Sequence, residues 1–177
     1  DTFRNRIEHA QVLDPADIPR FAELKIIASV QPTHATSDKA MAEQRIGPAR
    51  LEGAYAWVAL KKAGARLALG SDFPVESANP FWGLHAAVTR QDRDDQPPGG
   101  WRPQEALTLP QALAGFTTDA AFAGGMEGKV GSLEEGRWAD FLLLDRDPFT
   151  IAPAELKQVG VEETWLAGKR VFVKKPR

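Results

Sequence analysis

Three polar side chains stand at the exits of three short apolar runs. Arg6-Ile7-Glu8-His9 ends in an imidazole, and Ile26-Ile27-Ala28-Ser29-Val30-Gln31-Pro32-Thr33-His34 ends in a second one. Leu67-Ala68-Leu69-Gly70-Ser71-Asp72 ends in a carboxylate. Two imidazoles and a carboxylate are donors suited to a hydrolytic divalent-metal centre. Strands that each deliver one polar residue at their C-terminal end are how a parallel β/α barrel builds an active site. The combination predicts a metal-dependent hydrolase.

Each position has a plainer alternative. His9 could be a hydrogen-bonded core histidine, although its place at a strand end beside Glu8 favours a site. His34 follows Pro32, which holds Gln31 extended and removes a backbone donor, so the strand must stop pairing there and present the imidazole at a rigid exit. The alternative is a solvent-facing loop histidine. Asp72 directly follows a strand that reads as buried, where a carboxylate is costly unless it is paired, hydrogen-bonded or metal-bound. The alternative is a turn cap formed by the Ser71-Asp72 pair. As a ligand, Asp72 could hold a cation through one oxygen and move a proton through the other, first from water and then to a leaving amine.

The remaining polar positions read as structural. His85 sits in mid-helix and is expected to be structural or to support a site from behind. The five tryptophans read as packing residues, with Trp82 and Trp101 on segments that could border a pocket. Asp94-Asp95 and Glu134-Glu135 read as solvated faces. There is no G-x-S-x-G elbow, P-loop, G-x-G-x-x-G or H-E-x-x-H. A metal-free hydrolase using Ser71 is the weakest reading.

The elements that would hold these residues alternate. Leu13-Asp14-Pro15-Ala16-Asp17 reads as a helix start, with Asp14 as cap and Pro15 in the first turn. Ile18, Phe21 and Leu24 would form its buried face, and the second strand would begin at Lys25 or Ile26. Ala35 to Pro48 reads as a long polar loop, followed by a helix from about Ala49 to Ala63 stopped by Gly64. The third strand is Ala65 to Leu69. Asn79-Pro80 opens a helix through about Thr89. Asp92 to Arg102 reads as a surface loop containing Pro97-Pro98-Gly99-Gly100. Thr108 and Gln111 form a capping box for a helix ending near Phe116, and Thr118 caps a short one up to Gly124-Gly125. From Val130 the texture becomes β-type, with runs at Phe141 to Leu144, Glu163 to Leu166 and Arg170 to Val173. Ala167-Gly168 forms the turn of a terminal hairpin. The expected division is a partial β/α barrel over 1–129 and a small β-element over 130–177.

The chain of 177 residues is 43% hydrophobic and 26% charged, the composition of a globular domain with a real core. A net charge of −2 and no basic block argue against nucleic acid or anionic membrane as partner. Cysteine is absent, which excludes disulfides, thiolate nucleophiles and Cys-based zinc sites. No apolar run approaches a membrane span or a signal-peptide core, so a cytoplasmic location is the default expectation. The chain starts at Asp1 and enters a strand within a few residues, which reads as the C-terminal piece of something longer.

Arg6-Ile7-Glu8-His9-Ala10-Gln11, Gln31-Pro32-Thr33-His34, Gly70-Ser71-Asp72-Phe73-Pro74-Val75-Glu76 and Ala87-Val88-Thr89-Arg90 together resemble motifs of the amidohydrolase superfamily. Within it they look like amidohydrolase family 3, the group of YtcJ-like proteins and N-substituted formamide deformylases. Gly131 to Phe141 resembles the segment that returns that superfamily's chain to its small β-domain. The resemblance implies a metal-dependent (β/α)8 barrel that hydrolyses C–N bonds of amide-type substrates, with one or two divalent ions, most simply zinc. It implies that His9 is the metal-ligand histidine of the sixth strand and Asp72 the eighth-strand ligand and proton shuttle. His34, with Gln31, falls where the family contacts substrate. The first-strand H-x-H, the bridging group of the fourth strand and the fifth-strand histidine have no counterpart here. The chain alone is therefore expected to be inactive, to bind metal weakly or not at all, and to self-associate or pair with a missing N-terminal half. The alternative is a non-catalytic β/α module that works by association through open barrel edges.

Overall fold

The computed structural model describes residues 4–175. Its architecture is α/β, with a parallel and an antiparallel sheet. The parallel sheet has the order β1 (Arg6–Glu8), β2 (Ile27–Val30), β3 (Leu67–Leu69). Its register pairs Ile7 with Ala28 and Ser29 with Ala68, so the three C-terminal ends lie side by side. Such juxtaposition is what brings residues distant in sequence to one edge of a parallel sheet. β2 and β3 are mostly buried, whereas β1 is exposed at all three positions, so it is not the buried strand its sequence suggests.

Between the first two strands, Asp14 accepts from Ala16 N at 2.9 Å and caps a 3-10 turn over Pro15–Asp17, which runs into α1 (Ile18–Glu23). Ile18 and Phe21 are buried as expected, but Leu24 is 56% exposed because it lies at the helix end, not on its inner face. Lys25, expected at the start of β2, instead ends α1 with φ 53°.

The main departure from the sequence reading follows β2. Residues expected to be a polar loop form α2 (Pro32–Ile46), with Pro32 in its first turn and Ala35, Thr36 and Ala42 buried. The Thr, Ser and Asp residues suggest a loop, but Ala40-Met41-Ala42-Glu43-Gln44-Arg45 are strong helix formers. A narrow buried stripe suffices for a helix lying over the strand ends. The expected helix from Ala49 to Ala63 is instead divided. A 3-10 segment, Pro48–Gly53, is followed by a break at Ala54–Ala56 and then by α3 (Trp57–Lys62). The break is tied back to the first βα connection by Leu13 N to Gly53 O at 3.0 Å and Tyr55 N to Gln11 O at 2.6 Å. An added Cβ at Gly53 would sit on the Leu13 carbonyl, so glycine is required for this approach.

α4 (Pro80–Thr89) starts as its sequence predicts, with Asn79 Oδ1 accepting from Phe81 N at 3.0 Å. α5 (Leu109–Phe116) carries the Thr108–Gln111 capping box, and α6 (Thr118–Ala123) follows at once. Thr118 does not cap α6; its hydroxyl donates to Ala114 O, within the turn of α5, at 3.4 Å. α5 packs closely on β3 at Gly115, where a Cβ would approach Leu69 Cγ to 2.5 Å. The core between these elements contains Phe21, Val30, Trp57, Leu60, Leu67 and Leu84.

Arg90 is fully buried at the end of α4, stacked 4.1 Å over Trp57, and it donates to the carbonyls of Trp101 at 2.9 Å and Tyr55 at 3.3 Å. Burial pulls its pKa down to about 9, which leaves the guanidinium charged at neutral pH. Glu105 accepts from Val58 N and Ala59 N and so caps the first turn of α3. The antiparallel sheet is a meander of β4 (Phe141–Leu144), β5 (Val161–Leu166) and β6 (Lys169–Val173), with Ala167-Gly168 as the expected hairpin turn.

Candidate metal centre

The sheet register brings His9, His34 and Asp72 together. Each offers one ligand atom, and these atoms all lie within 4.8 Å of one another. The His9 and His34 rings stack at 5.7 Å between centroids and 21° between planes. His34 Nε2 lies 3.8 Å from Asp72 Oδ2.

Local backbone explains each placement. After β1 the chain turns through left-handed conformations at His9 (φ 69°) and Ala10 (φ 37°). Such values are uncommon for side chains with a Cβ, and they cluster where a site over-determines the backbone. His9 is thereby lifted off the strand end, and its Nδ1 meets Gln31 Oε1 at 3.0 Å. Neighbouring Glu8 is held below the usual carboxylate range by a Ser29 hydrogen bond and by Arg6, with which it also forms an ion pair. It is occupied on the strand flank and is not part of the cluster.

His34 is not at a strand exit. It sits on the first turn of α2, where Pro32 starts the helix after an extended Gln31 (φ −120°, ψ 109°). The predicted restriction at Gln31 is present, but helix geometry aims the imidazole. His34 is buried, and its Nε2 has no hydrogen-bond partner among the described residues. Its Nδ1 faces Gln11 Nε2 at 3.4 Å.

Asp72 lies three residues beyond β3, in left-handed backbone (φ 58°), and is exposed, so a buried strand end is not what makes its carboxylate costly. The turn-cap alternative falls to its neighbour. Ser71 Oγ accepts from Phe73 N at 3.3 Å, which leaves the Asp72 carboxylate turned toward His34.

Gln31, expected to contact substrate, is buried with its amide oxygen against His9, and it does not line the adjoining cavity. That cavity, of about 180 Å³, is bordered by the two imidazoles, Gln11, Ser37, Asp38 and Glu76. Ser37 donates to Glu76 at 2.6 Å and separates this space from a cavity of about 410 Å³ that reaches Trp82. Trp82 does border a pocket; Trp101 is buried, donating to Glu43 at 2.7 Å. His85 is buried within α4, with Nε2 3.0 Å from the Asp92 carbonyl, a structural position. Asp95, expected to be solvated, pairs with Lys157 at 2.6 Å.

Sequence reading missed Asp38, Tyr55 and Glu76. Tyr55 donates to Asp38 Oδ2 at 2.8 Å, and Gln11 donates to the same oxygen at 3.2 Å. Gln11 and Glu76 did lie inside motif stretches; Asp38 lay in the segment read as a loop. The acidic side chains around two imidazoles favour a cation, and the donor set fits a divalent one.

A family model described as the amidohydrolase family matches residues 1–172. The putative amidohydrolase YtcJ of Bacillus subtilis is 35% identical over 170 residues, covering 96% of this chain and 32% of that protein. The N-substituted formamide deformylase of Arthrobacter pascens is 37% identical over 106 residues, 60% of this chain and 19% of that protein. The crystal structure of an uncharacterized metal-dependent hydrolase from Pyrococcus horikoshii OT3 superposes with a TM-score of 0.74 at 32% identity, over 86% of this chain and 31% of that one. This chain thus spans about a third of the length of YtcJ and of a second curated relative that it matches over 96% of its own length.

Proposed function

Because the chain belongs to the amidohydrolase family, we propose that it contributes part of the centre of a metal-dependent hydrolase acting on C–N bonds of amide-type substrates. The observation that carries this reading is the convergence of His9, His34 and Asp72 from the segments that follow three adjacent parallel strands. In it, residues 1–129 are the last three strand-helix units of a (β/α)8 barrel, strands six to eight. Residues 130–177 are part of a composite sandwich. The apolar side chains exposed on β6, Val171 and Val173 on one face and Phe172 on the other, support further packing against that sheet.

His9 and Asp72 would hold a divalent cation, zinc being the simplest for this donor set. When bound, the cation supplies Lewis-acid polarisation of the carbonyl and makes water a nucleophile near neutral pH. Gln31 fixes the His9 ring, so that Nδ1–H donates to the amide and Nε2 keeps its lone pair. Asp72, the exposed member of the cluster, is placed to accept a proton through its second oxygen and return it to the leaving amine. His34 offers a buried, unpartnered Nε2 to the substrate carbonyl. A leaving group of modest size could occupy the space toward Trp82.

Two protein ligands are fewer than a catalytic metal needs, so the chain alone is inactive on this reading, and turnover requires further strands. β1, exposed along its free edge, is the surface for pairing with the rest of the barrel or with a second copy. The reading is tested by adding Zn²⁺ to the chain with and without the part of the YtcJ chain that lies outside the matched third, and assaying an N-substituted formamide. The expected result is metal-dependent turnover only when both parts are present, abolished by Asp72→Asn. Turnover by the chain alone, or full activity in Asp72→Asn, overturns it.

A further inference from the structure

The two imidazoles of the centre do not present equivalent nitrogens. His9 Nδ1 meets Gln31 Oε1, an oxygen that can only accept, so its ring proton sits on Nδ1. His34 is built the other way. Its Nδ1 faces Gln11 Nε2 at 3.4 Å, and that same nitrogen lies 3.2 Å from Asp38 Oδ2. An ionised carboxylate only accepts, so the end of Gln11 that faces Asp38 must be the NH₂ group. One of its hydrogens goes to Asp38, and the other is directed at His34 Nδ1, which must then accept. A neutral His34 whose Nδ1 accepts carries its proton on Nε2.

The rest of the network keeps Gln11 in that orientation. Tyr55 donates its hydroxyl to the same Asp38 oxygen at 2.8 Å. Burial, reinforced by that hydrogen bond, raises the Tyr55 pKa well above its usual value, so it remains a donor. Tyr55 is itself fixed, since its N–H donates to Gln11 O at 2.6 Å and its carbonyl accepts from buried Arg90 at 3.3 Å. Three elements therefore converge on one amide: the turn after β1, α2 and the break before α3.

We propose that Gln11, aimed by Asp38 and Tyr55, is a positioning residue that holds His34 as its Nε2–H tautomer. His34 then gives the centre a hydrogen-bond donor, and His9 gives it a metal lone pair. The Nε2–H is buried without a partner among the described residues, and at 3.8 Å Asp72 Oδ2 is too far to satisfy it. A substrate atom with an acceptor lone pair, a carbonyl oxygen above all, completes it. The functional meaning rests on the hydrolase reading; the tautomer does not.

The test is ¹⁵N NMR of the imidazoles, since the chain has three histidines to assign. In the metal-free chain His34 should show a protonated Nε2 and an unprotonated Nδ1. In Gln11→Met, which keeps the length and removes the donor, that single pattern should be lost to a mixture of tautomers. Tyr55→Phe should shift it in the same direction by a smaller amount. His85, buried on α4 away from this network, reports whether each variant is folded; if Gln11→Met unfolds, wild type and Tyr55→Phe decide. Zn²⁺ alone should then move the His9 signals and leave the His34 Nε2 proton in place. A wild-type Nδ1–H tautomer, an unchanged pattern in folded Gln11→Met, or loss of the Nε2 proton to Zn²⁺ overturns the proposal. Zn²⁺ that moves neither imidazole agrees with a two-ligand site too weak to hold it alone, and the tautomer is then decided on the free chain.

Discussion

Gln31, for which the sequence predicts a substrate contact, turns its amide toward the His9 ring. Its amide oxygen holds His9 Nδ1–H at 3.0 Å from a position 8% exposed. Groups that orient a metal-binding histidine typically change affinity by about 10–100-fold when removed. Gln31→Leu, which keeps the buried volume and deletes the acceptor, should therefore weaken Zn²⁺ binding about 10–100-fold in the centre completed by the further strands. Calorimetric titration against wild type measures it, and an unchanged affinity would mean that His9 needs no such partner. The convergence of His9, His34 and Asp72 is legible because each follows an apolar run that pairs in one parallel sheet. Asp38 and Tyr55 are not, because their importance comes from atoms of Gln11 that approach only after three separate elements have packed.

Among the elements, those with local stereochemical signals were read well. Asn79-Pro80 and Thr108 with Gln111 place their caps where the sequence puts them, since both depend on residues within one turn. α2 was missed because its polar first half satisfies loop rules, and burial by a neighbouring element decides the outcome. The end of α1 carries a signal that the sequence lacks. Lys25 N bonds Ala22 O at 3.1 Å and Ile26 N bonds Phe21 O at 2.8 Å, the paired bonds that end a helix through a left-handed residue. α3 ends in the same way at Gly64 and α6 at Gly125, but α1 uses Lys25 at φ 53°. The left-handed state costs such a residue about 1–2 kcal/mol, and glycine's larger unfolded-state entropy offsets about 0.4–1 kcal/mol of the gain. Lys25→Gly should raise stability by about 0.5–1 kcal/mol, read as a higher urea midpoint.

α2 is also joined electrostatically to the loop after α4. Asp92 meets Lys39 at 2.6 Å and accepts from Asp94 N at 2.9 Å and Gln96 N at 3.0 Å. Partial burial raises its pKa, but the Lys39 and backbone hydrogen bonds outweigh this and leave the carboxyl below its ordinary range. A carboxyl lowered in the fold adds stability that is complete above the unfolded value near ~3.9 and is lost as pH falls through the folded value. The stability difference between wild type and Asp92→Asn should thus be constant above about pH 5 and shrink below about pH 4. Urea unfolding across that range measures it, and a gap that widens in acid would reverse the assignment.

At the scale of the whole chain, what matters is how the antiparallel sheet is tied to the half that carries the site. The tie is the 3-10 segment Pro153–Gln158 between β4 and β5, which packs along α4. Leu156 is 1% exposed and Val159, just beyond, joins the main core. Lys157 donates to Arg93 O at 2.8 Å and pairs with Asp95, close to buried His85. The sequence announced both sheets through their strand texture, but not this joint, because a six-residue 3-10 segment has no periodicity to read. A side chain buried at such a joint couples the two halves, so its loss should be felt by both. Leu156→Ala should cost about 2–5 kcal/mol. If the joint makes one cooperative unit, thermal unfolding followed at Trp57, in the core of the site-bearing half, and at Trp165, on β5, should shift together in one transition. Loss of the Trp165 signal first, with the Trp57 transition unmoved, would show that the C-terminal sheet unfolds independently.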